Sequence, residues 1–273
     1  MIHVLHLGQV PYATALQLQK TLSQMRKAGR IENTLLLLEH PPVITLGRNA
    51  AVANVLASPE FLAQRGVELH EIDRGGDVTF HGPGQLVAYP IFDLRSFDPK
   101  VGAVEFVRRL EEVLIRTCGD FGIGTQRVKG LTGVWTYALP KRPEAKIAAI
   151  GVHISRGVTT HGFALNVSND LEYFSLIVPC GLTGKPVTSM ERELENSLGV
   201  DEVATAASRN FGRVFQSQML WLESLDDLLA QASDPAQSGE SSPESKAGPA
   251  NQDTPAGPPR ELRELHGDGN ELV

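Results

Sequence analysis

Residues 33–47, NTLLLLEHPPVITLG, constrain the fold more than any other stretch. Four consecutive leucines and, after them, Val43-Ile44-Thr45-Leu46 read as two buried strand-like runs. Pro41-Pro42 splits them, because proline cannot donate to a ladder. Short β-rich runs with glycine breaks recur in VELHEIDRGGDVTFHGPGQLVAYPIFDL (67–94), TGVWTYA (132–138), AKIAAIGVHISRGVTTHGFALNV (145–167) and FSLIVPCG (174–181). Helical spacing appears at Ala15, Leu18, Leu22 and Met25, with Gly29 as a stop, then over 103–121, and again from Asp201 to Ala232. Strands in clusters, helices at both ends and one in the middle, and no regular βαβ alternation predict an α+β fold. Its sheet should be mixed or antiparallel, with helices packed against it.

A chain of 273 residues with 41% hydrophobic content can bury a full core. The segment Ser233–Val273 departs from that composition, with six prolines, many Ser and Gly, and almost no large apolar residue before Leu262. It cannot bury enough surface to offset chain entropy and reads as a disordered tail, leaving 1–232 as the folded domain. The tail carries 3 basic and 8 acidic residues, so most of the formal charge of −7 belongs to it and residues 1–232 hold only −2. A near-neutral domain points to neither nucleic acid nor a membrane surface as partner. The first twenty residues lack the pattern of a secretory leader, no apolar run approaches spanning length, and two cysteines are no disulfide framework. A cytoplasmic protein is expected.

The two cysteines separate by context. Cys118 falls on the apolar stripe of Phe106, Val107, Leu110, Val113, Leu114 and Phe121 and reads as core. Cys180 stands in Pro179-Cys180-Gly181, which is turn chemistry, and a thiol spent there suggests a nucleophile. A nucleophilic thiol needs a group that lowers its pKa or takes its proton, and Lys146, His81, His153 and His161 are the candidates. Lys146 opens an apolar strand, an odd place for a cation unless its head group has a use or snorkels to water. Neither H-E-x-x-H nor paired C-x-x-C is present, so no metal is expected; GIGTQR and GLTGKP fail the dinucleotide and P-loop patterns, so no nucleotide cofactor is expected either. In RGGDVTFHGPGQLVAYP (74–90), Gly75-Gly76 allows close approach and Pro83-Gly84 suits a type II turn. Arg74 and His81 at the ends of its first half favour a polar binding loop over a decorated hairpin.

LLLLEHPPVITLGR, RGGDVTFHGPGQLVAYPI, KIAAIGVHISRGVTTHGFALNV and YFSLIVPCGL, in that order from about Leu35 to Met190, resemble the lipoyl(octanoyl) transferase family of lipoate biosynthesis. That resemblance implies the α+β fold of biotin and lipoate protein ligase catalytic domains. It implies transfer of an octanoyl group from octanoyl-acyl carrier protein to a lysine of lipoyl domains, those of 2-oxoacid dehydrogenases and the glycine cleavage H protein. It makes Cys180 the acyl-bearing nucleophile and Lys146 its partner. It maps substrate binding onto Arg74, Gly75, Gly76, Asp77, Val78, Thr79, Phe80 and His81, onto Ala149, Ile150 and Gly151, and onto Gly162, Phe163 and Ala164. His81 and His161 are expected to orient. The competing readings are an ATP-dependent lipoate–protein ligase of the same fold, which would share Lys146 without needing Cys180, and a non-catalytic carrier-binding module.

Overall fold

The computed structural model describes residues 1–140, 142–178 and 185–233. Cys180, and the proposed tail beyond Ser233, lie outside the described residues. An eight-stranded sheet carries the fold. Its strands are β1 (Ile2–Gln9), β2 (Asn33–Glu39), β6 (Gln85–Ile91), β7 (Thr125–Val128), β8 (Leu131–Thr136), β9 (Lys146–Ser155), β10 (Val158–Asn166) and β11 (Met219–Trp221). They lie in the order β11-β1-β2-β6-β10-β9-β8-β7. β1 pairs in parallel with β2 and β11; the remaining pairs are antiparallel, so the sheet is mixed, as expected. A second sheet of three strands holds β3 (Val43–Leu46) between β4 (Glu68–Glu71) and β5 (Val78–His81). Pro41-Pro42 thus separates two strands that belong to different sheets.

The leucine run explains why the large sheet needs cover on both sides. In a strand, successive side chains point to opposite faces. Leu35 and Leu37 join the core built with α3 (Ala103–Asp120) and α5 (Val200–Phe215), whereas Leu36 and Leu38 join the core beneath α1 (Tyr12–Lys27). β6 divides the same way, Leu86 and Ala88 against Val87, Tyr89 and Ile91. On the α3/α5 side Phe92 meets Phe97, Phe106, Phe211 and Phe215 at ring-centroid distances of 5.4–6.3 Å. Cys118 is fully buried there, in the core role its helical spacing suggests. The small sheet has its own core of Ile44, Leu46, Val78 and Phe80, joined by Leu176 and Ile177.

Three local expectations are corrected. The segment after Asp201 is not helical throughout. α5 stops where Gln216 turns left-handed (φ 51°), β11 follows on the sheet edge, and α6 (Leu225–Ser233) starts afresh. The described part of FSLIVPCG is mostly not strand: Leu171–Leu176 forms a 3₁₀ turn capped by the Asp170 carboxylate, which accepts from the Glu172 N–H. Two short helices, α2 (Pro59–Gln64) and α4 (Met190–Leu194), have no counterpart in the sequence reading. α2 announces itself by Ser58 as N-cap with Pro59 behind it, a signal present in the sequence. Among the described residues, no helix is long and apolar enough to cross a membrane.

Candidate active site

A cleft opens where the small sheet and the N-terminus of α1 stand over the middle of the large sheet. Its empty space, including the mouth, is about 790 Å³. β9 and β10 make the floor, with Ala149 opposite Ala164 and Gly151 opposite Gly162. Four small residues in register leave a smooth trough rather than a row of knobs. Gly151 is required by close approach, because a Cβ there would come within 2.9 Å of the Gly75 carbonyl and 3.0 Å of Arg74 Cδ.

Arg74 is 7% exposed. Its guanidinium donates to the Thr45 carbonyl at 2.8 Å, to Thr45 Oγ1 at 3.0 Å and to the Gly75 carbonyl at 3.0 Å, which clamps the 74–77 loop to β3. The Gly75 N–H in turn donates to the Val152 carbonyl at 3.0 Å, pinning the loop to β9. Of the expected binding residues, Arg74, Gly76, Asp77, Val78, Thr79, His81, Ala149, Ile150, Gly151, Gly162, Phe163 and Ala164 line the cleft, as does Lys146. Gly75 serves the loop's backbone, and Phe80 turns away, its ring stacked on Tyr173 at 4.7 Å within the small-sheet core.

Each of the histidines around the cleft is held by a hydrogen bond to its ring. His40 Nδ1 lies 2.7 Å from the Val10 carbonyl, so that nitrogen carries the proton, and Nε2 accepts from the Tyr89 hydroxyl at 2.8 Å. Burial pushes His40 down to about 4, and burial, with His40 nearby, pushes His81 down to about 3. His161 is 3% exposed and sits at φ 56°, its Nε2 2.8 Å from Asp73 Oδ1 and its backbone N–H donating to Gln19 Oε1 at 2.7 Å. The His161 contact holds the Asp73 carboxyl far below the usual carboxylate range. His153, 3.8 Å from Asp73 through Nε2, meets Arg48 through Nδ1 and belongs to the rim behind this wall.

Lys146 marks the other end. Its ammonium stands 5.5 Å from the centre of the Trp135 ring, and its Cε passes over Gly133, where a Cβ would approach to 2.8 Å. The chain that returns after residue 184 docks on this lysine's backbone. The Lys146 N–H donates to the Pro186 carbonyl, and the Thr188 N–H donates to the Lys146 carbonyl, both at 2.9 Å. Lys185 pairs with Glu144 and faces the same Trp135 ring at 5.7 Å.

The sequence reading missed Tyr12, Gln85, Val87, Tyr89, Asn166, Phe174 and Val187, all of which line the cleft. For Gln85, Val87 and Tyr89 a signal existed: they alternate along β6 and so share a face. Tyr12 has none, since it arrives with α1 from a distant part of the chain.

Residues 11–212 match the model of the lipoyl protein ligase A/B catalytic domain family. The octanoyltransferase of Koribacter versatilis is 62% identical over 268 residues, covering 98% of each chain. That of Acidobacterium capsulatum is 61% identical over 238 residues, covering 85% of this chain and 97% of its own. Among solved structures, the bipartite lipoate protein ligase of Thermoplasma acidophilum superposes with a TM-score of 0.65 at 19% identity, covering 85% of this chain and 91% of its own. Lipoate-protein ligase A bound with ATP gives 0.63 at 17%, covering 85% and 93%. These two share the fold, a mixed sheet packed with helices. The cleft, its floor and its Lys146 end therefore stand in a chain that belongs to the lipoyl protein ligase A/B catalytic domain family.

Proposed function

We propose that this chain transfers an octanoyl group in two half-reactions through a thioester on Cys180. Octanoyl transfer is the activity its relatives carry by name, and identity of 62% over 98% of the chain brings it here. In the first half-reaction the Cys180 thiolate attacks the thioester carbonyl of octanoyl-acyl carrier protein, the old C–S bond breaks, and the carrier thiol leaves with a proton. In the second, the lysine amine of a lipoyl domain, from a 2-oxoacid dehydrogenase or the glycine cleavage H protein, attacks the Cys180 thioester. An amide forms and the enzyme thiol is released. Thioester exchange is close to isoenergetic and amide formation runs downhill, so neither step needs ATP. The catalytic domain is residues 1–232, acting in the cytoplasm, where both thiols stay reduced, and 233–273 is a tail without a core of its own.

The observation that carries this reading is Lys146 at the head of the small-residue trough, hydrogen-bonded through its backbone to Pro186, six residues beyond Cys180. As an ammonium, Lys146 favours the thiolate; as a neutral amine, it takes the proton of the incoming lysine. The trough of Ala149, Ala164, Gly151 and Gly162 suits a linear chain, each buried CH₂ contributing about 0.8 kcal/mol. The test is to supply a lipoyl domain with either octanoyl-acyl carrier protein alone or octanoate plus ATP. Octanoyl transfer in the first mixture and none in the second is expected; the reverse pattern would make the chain a ligase.

A further inference from the structure

His161 interrupts the alternation of β10 in a way the reaction as described does not require. Phe163 and Leu165 point into the α3/α5 core, so strict period-two alternation would send His161 to that side too. Instead its φ of 56° turns the ring to the opposite face, where it lies 6.4 Å from Tyr89 in an edge-on arrangement. A left-handed conformation is costly for a residue with a Cβ and persists where surroundings enforce it. Gln19 enforces it from α1 by accepting the His161 N–H, and Asp73 fixes the ring through Nε2.

The turned ring stands between two cavities. One is the apolar cleft. The other, about 640 Å³ of empty space including its opening, lies behind it among Gln19, Lys20, Lys27, Asp73 and His153, and His161 lines both. Lys146 sits at the opposite end of the trough. Its head group, over Gly133 beside the Ala148 carbonyl, stands level with Ala148, four residues short of Val152, the β9 partner of His161; that span is about 13 Å at 3.3 Å per residue, enough for an extended octanoyl chain of about 9 Å and its methyl contact but not for four more carbons. An acyl chain that starts at the Lys146 end and runs along Ala149/Ala164 and Gly151/Gly162 meets the imidazole at its tip.

The geometry points to His161 as the stop that sets acyl-chain length, a partition held by Gln19 and Asp73 between the acyl cleft and the second cavity. This rests on the octanoyl-transfer reading and adds to it the residue that rejects longer chains. His161 is a specificity determinant here, with no proton to move. Glycine takes φ > 0 without strain, so His161→Gly keeps the backbone path while removing the wall. Asparagine also tolerates this region but is shorter than histidine, and glutamine refills most of the volume.

The experiment measures kcat/KM with hexanoyl-, octanoyl-, decanoyl- and dodecanoyl-acyl carrier protein for the wild type and for His161→Gly, His161→Asn and His161→Gln. The wild type should fall at least tenfold between octanoyl and dodecanoyl. The dodecanoyl-to-octanoyl ratio should rise at least tenfold in His161→Gly, less in His161→Asn, and stay near the wild-type value in His161→Gln. A ratio unchanged in His161→Gly while octanoyl turnover persists overturns the inference. So does a flat wild-type profile from hexanoyl to dodecanoyl, a result that does not depend on any variant folding. A wild type that turns over none of the four donors removes the octanoyl-transfer reading itself, and the inference with it.

Discussion

His81 and Gln85 share a 2.8 Å hydrogen bond across the Gly82-Pro83-Gly84 turn, and its direction is set from the far side of the glutamine. Gln85 Nε2 donates to the Phe80 carbonyl at 3.2 Å and to Asn166 Oδ1 at 2.8 Å, while Asn166 Nδ2 donates to the Thr188 carbonyl at 2.9 Å. Two backbone carbonyls thus fix both amides, Oε1 faces His81, and the proton resides on His81 Nδ1. The same chain of bonds connects β5, β6 and β10 to the segment that docks on Lys146.

The neutral histidines make stability depend on pH in a stated direction. His81 and His40 titrate near 3 and 4 when folded and near 6.5 when unfolded, so between these limits the unfolded chain binds more protons. Their contribution is complete above about pH 6.5 and is lost as pH falls toward 4 and then 3. Asp73, also lowered, acts in the same sense but below its ordinary value of 3.8, outside this window. The melting temperature should drop steadily from pH 7 to 4.5, and His81→Gln should give a shallower drop from a lower starting point. Parallel curves for the two proteins would contradict the assignment.

Gly133 lies under Lys146 at φ 117°, and a Cβ there would reach the Ala148 carbonyl at 2.6 Å and Lys146 Cε at 2.8 Å. The lysine can shift; the strand carbonyl cannot. Gly133→Ala should cost about 1–3 kcal/mol of stability from backbone strain. It should also lower transfer far more than the remaining folded fraction explains, because Lys146 is displaced. Thermal melts combined with kcat on the folded protein check this, and a folded variant with wild-type kcat would refute it.

Lys146→Arg separates the two roles given to the lysine. Arginine keeps the charge that favours thiolate but stays protonated at any working pH and cannot serve as a base. The variant should therefore form acyl-enzyme slowly and then stall, whereas Lys146→Ala should be poor in both steps. Pre-loading each variant and adding lipoyl domain in a single turnover resolves the steps. Near-normal transfer from pre-loaded Lys146→Arg would assign the base elsewhere.

Much of this was legible in the sequence because the signals are local. The leucine run and the paired prolines placed β2 and β3, the stripe around Leu110 placed α3, and the glycines of 74–90 marked a binding loop; 149–151 and 162–164 came from the family resemblance. What escaped was set by tertiary packing. β11 is three residues long and exists because it adds to the edge of β1. The turned ring of His161 depends on Gln19, 142 positions away. The burial that silences His81 comes from elements brought together only in the fold, so its residue type alone left it among the candidate bases.

The central claim, a thioester on Cys180, is tested most directly by intact mass after incubation with octanoyl-acyl carrier protein and no acceptor. Cys118, the other thiol, is fully buried and burial pushes it up to about 12, so it is neither accessible nor ionised. One octanoyl group, labile to hydroxylamine, should appear on the wild type and on Cys118→Ser. The hydroxylamine-labile adduct should be absent from Cys180→Ser. An adduct that maps to Cys118, or wild-type transfer to the lipoyl domain by Cys180→Ser, would contradict the account.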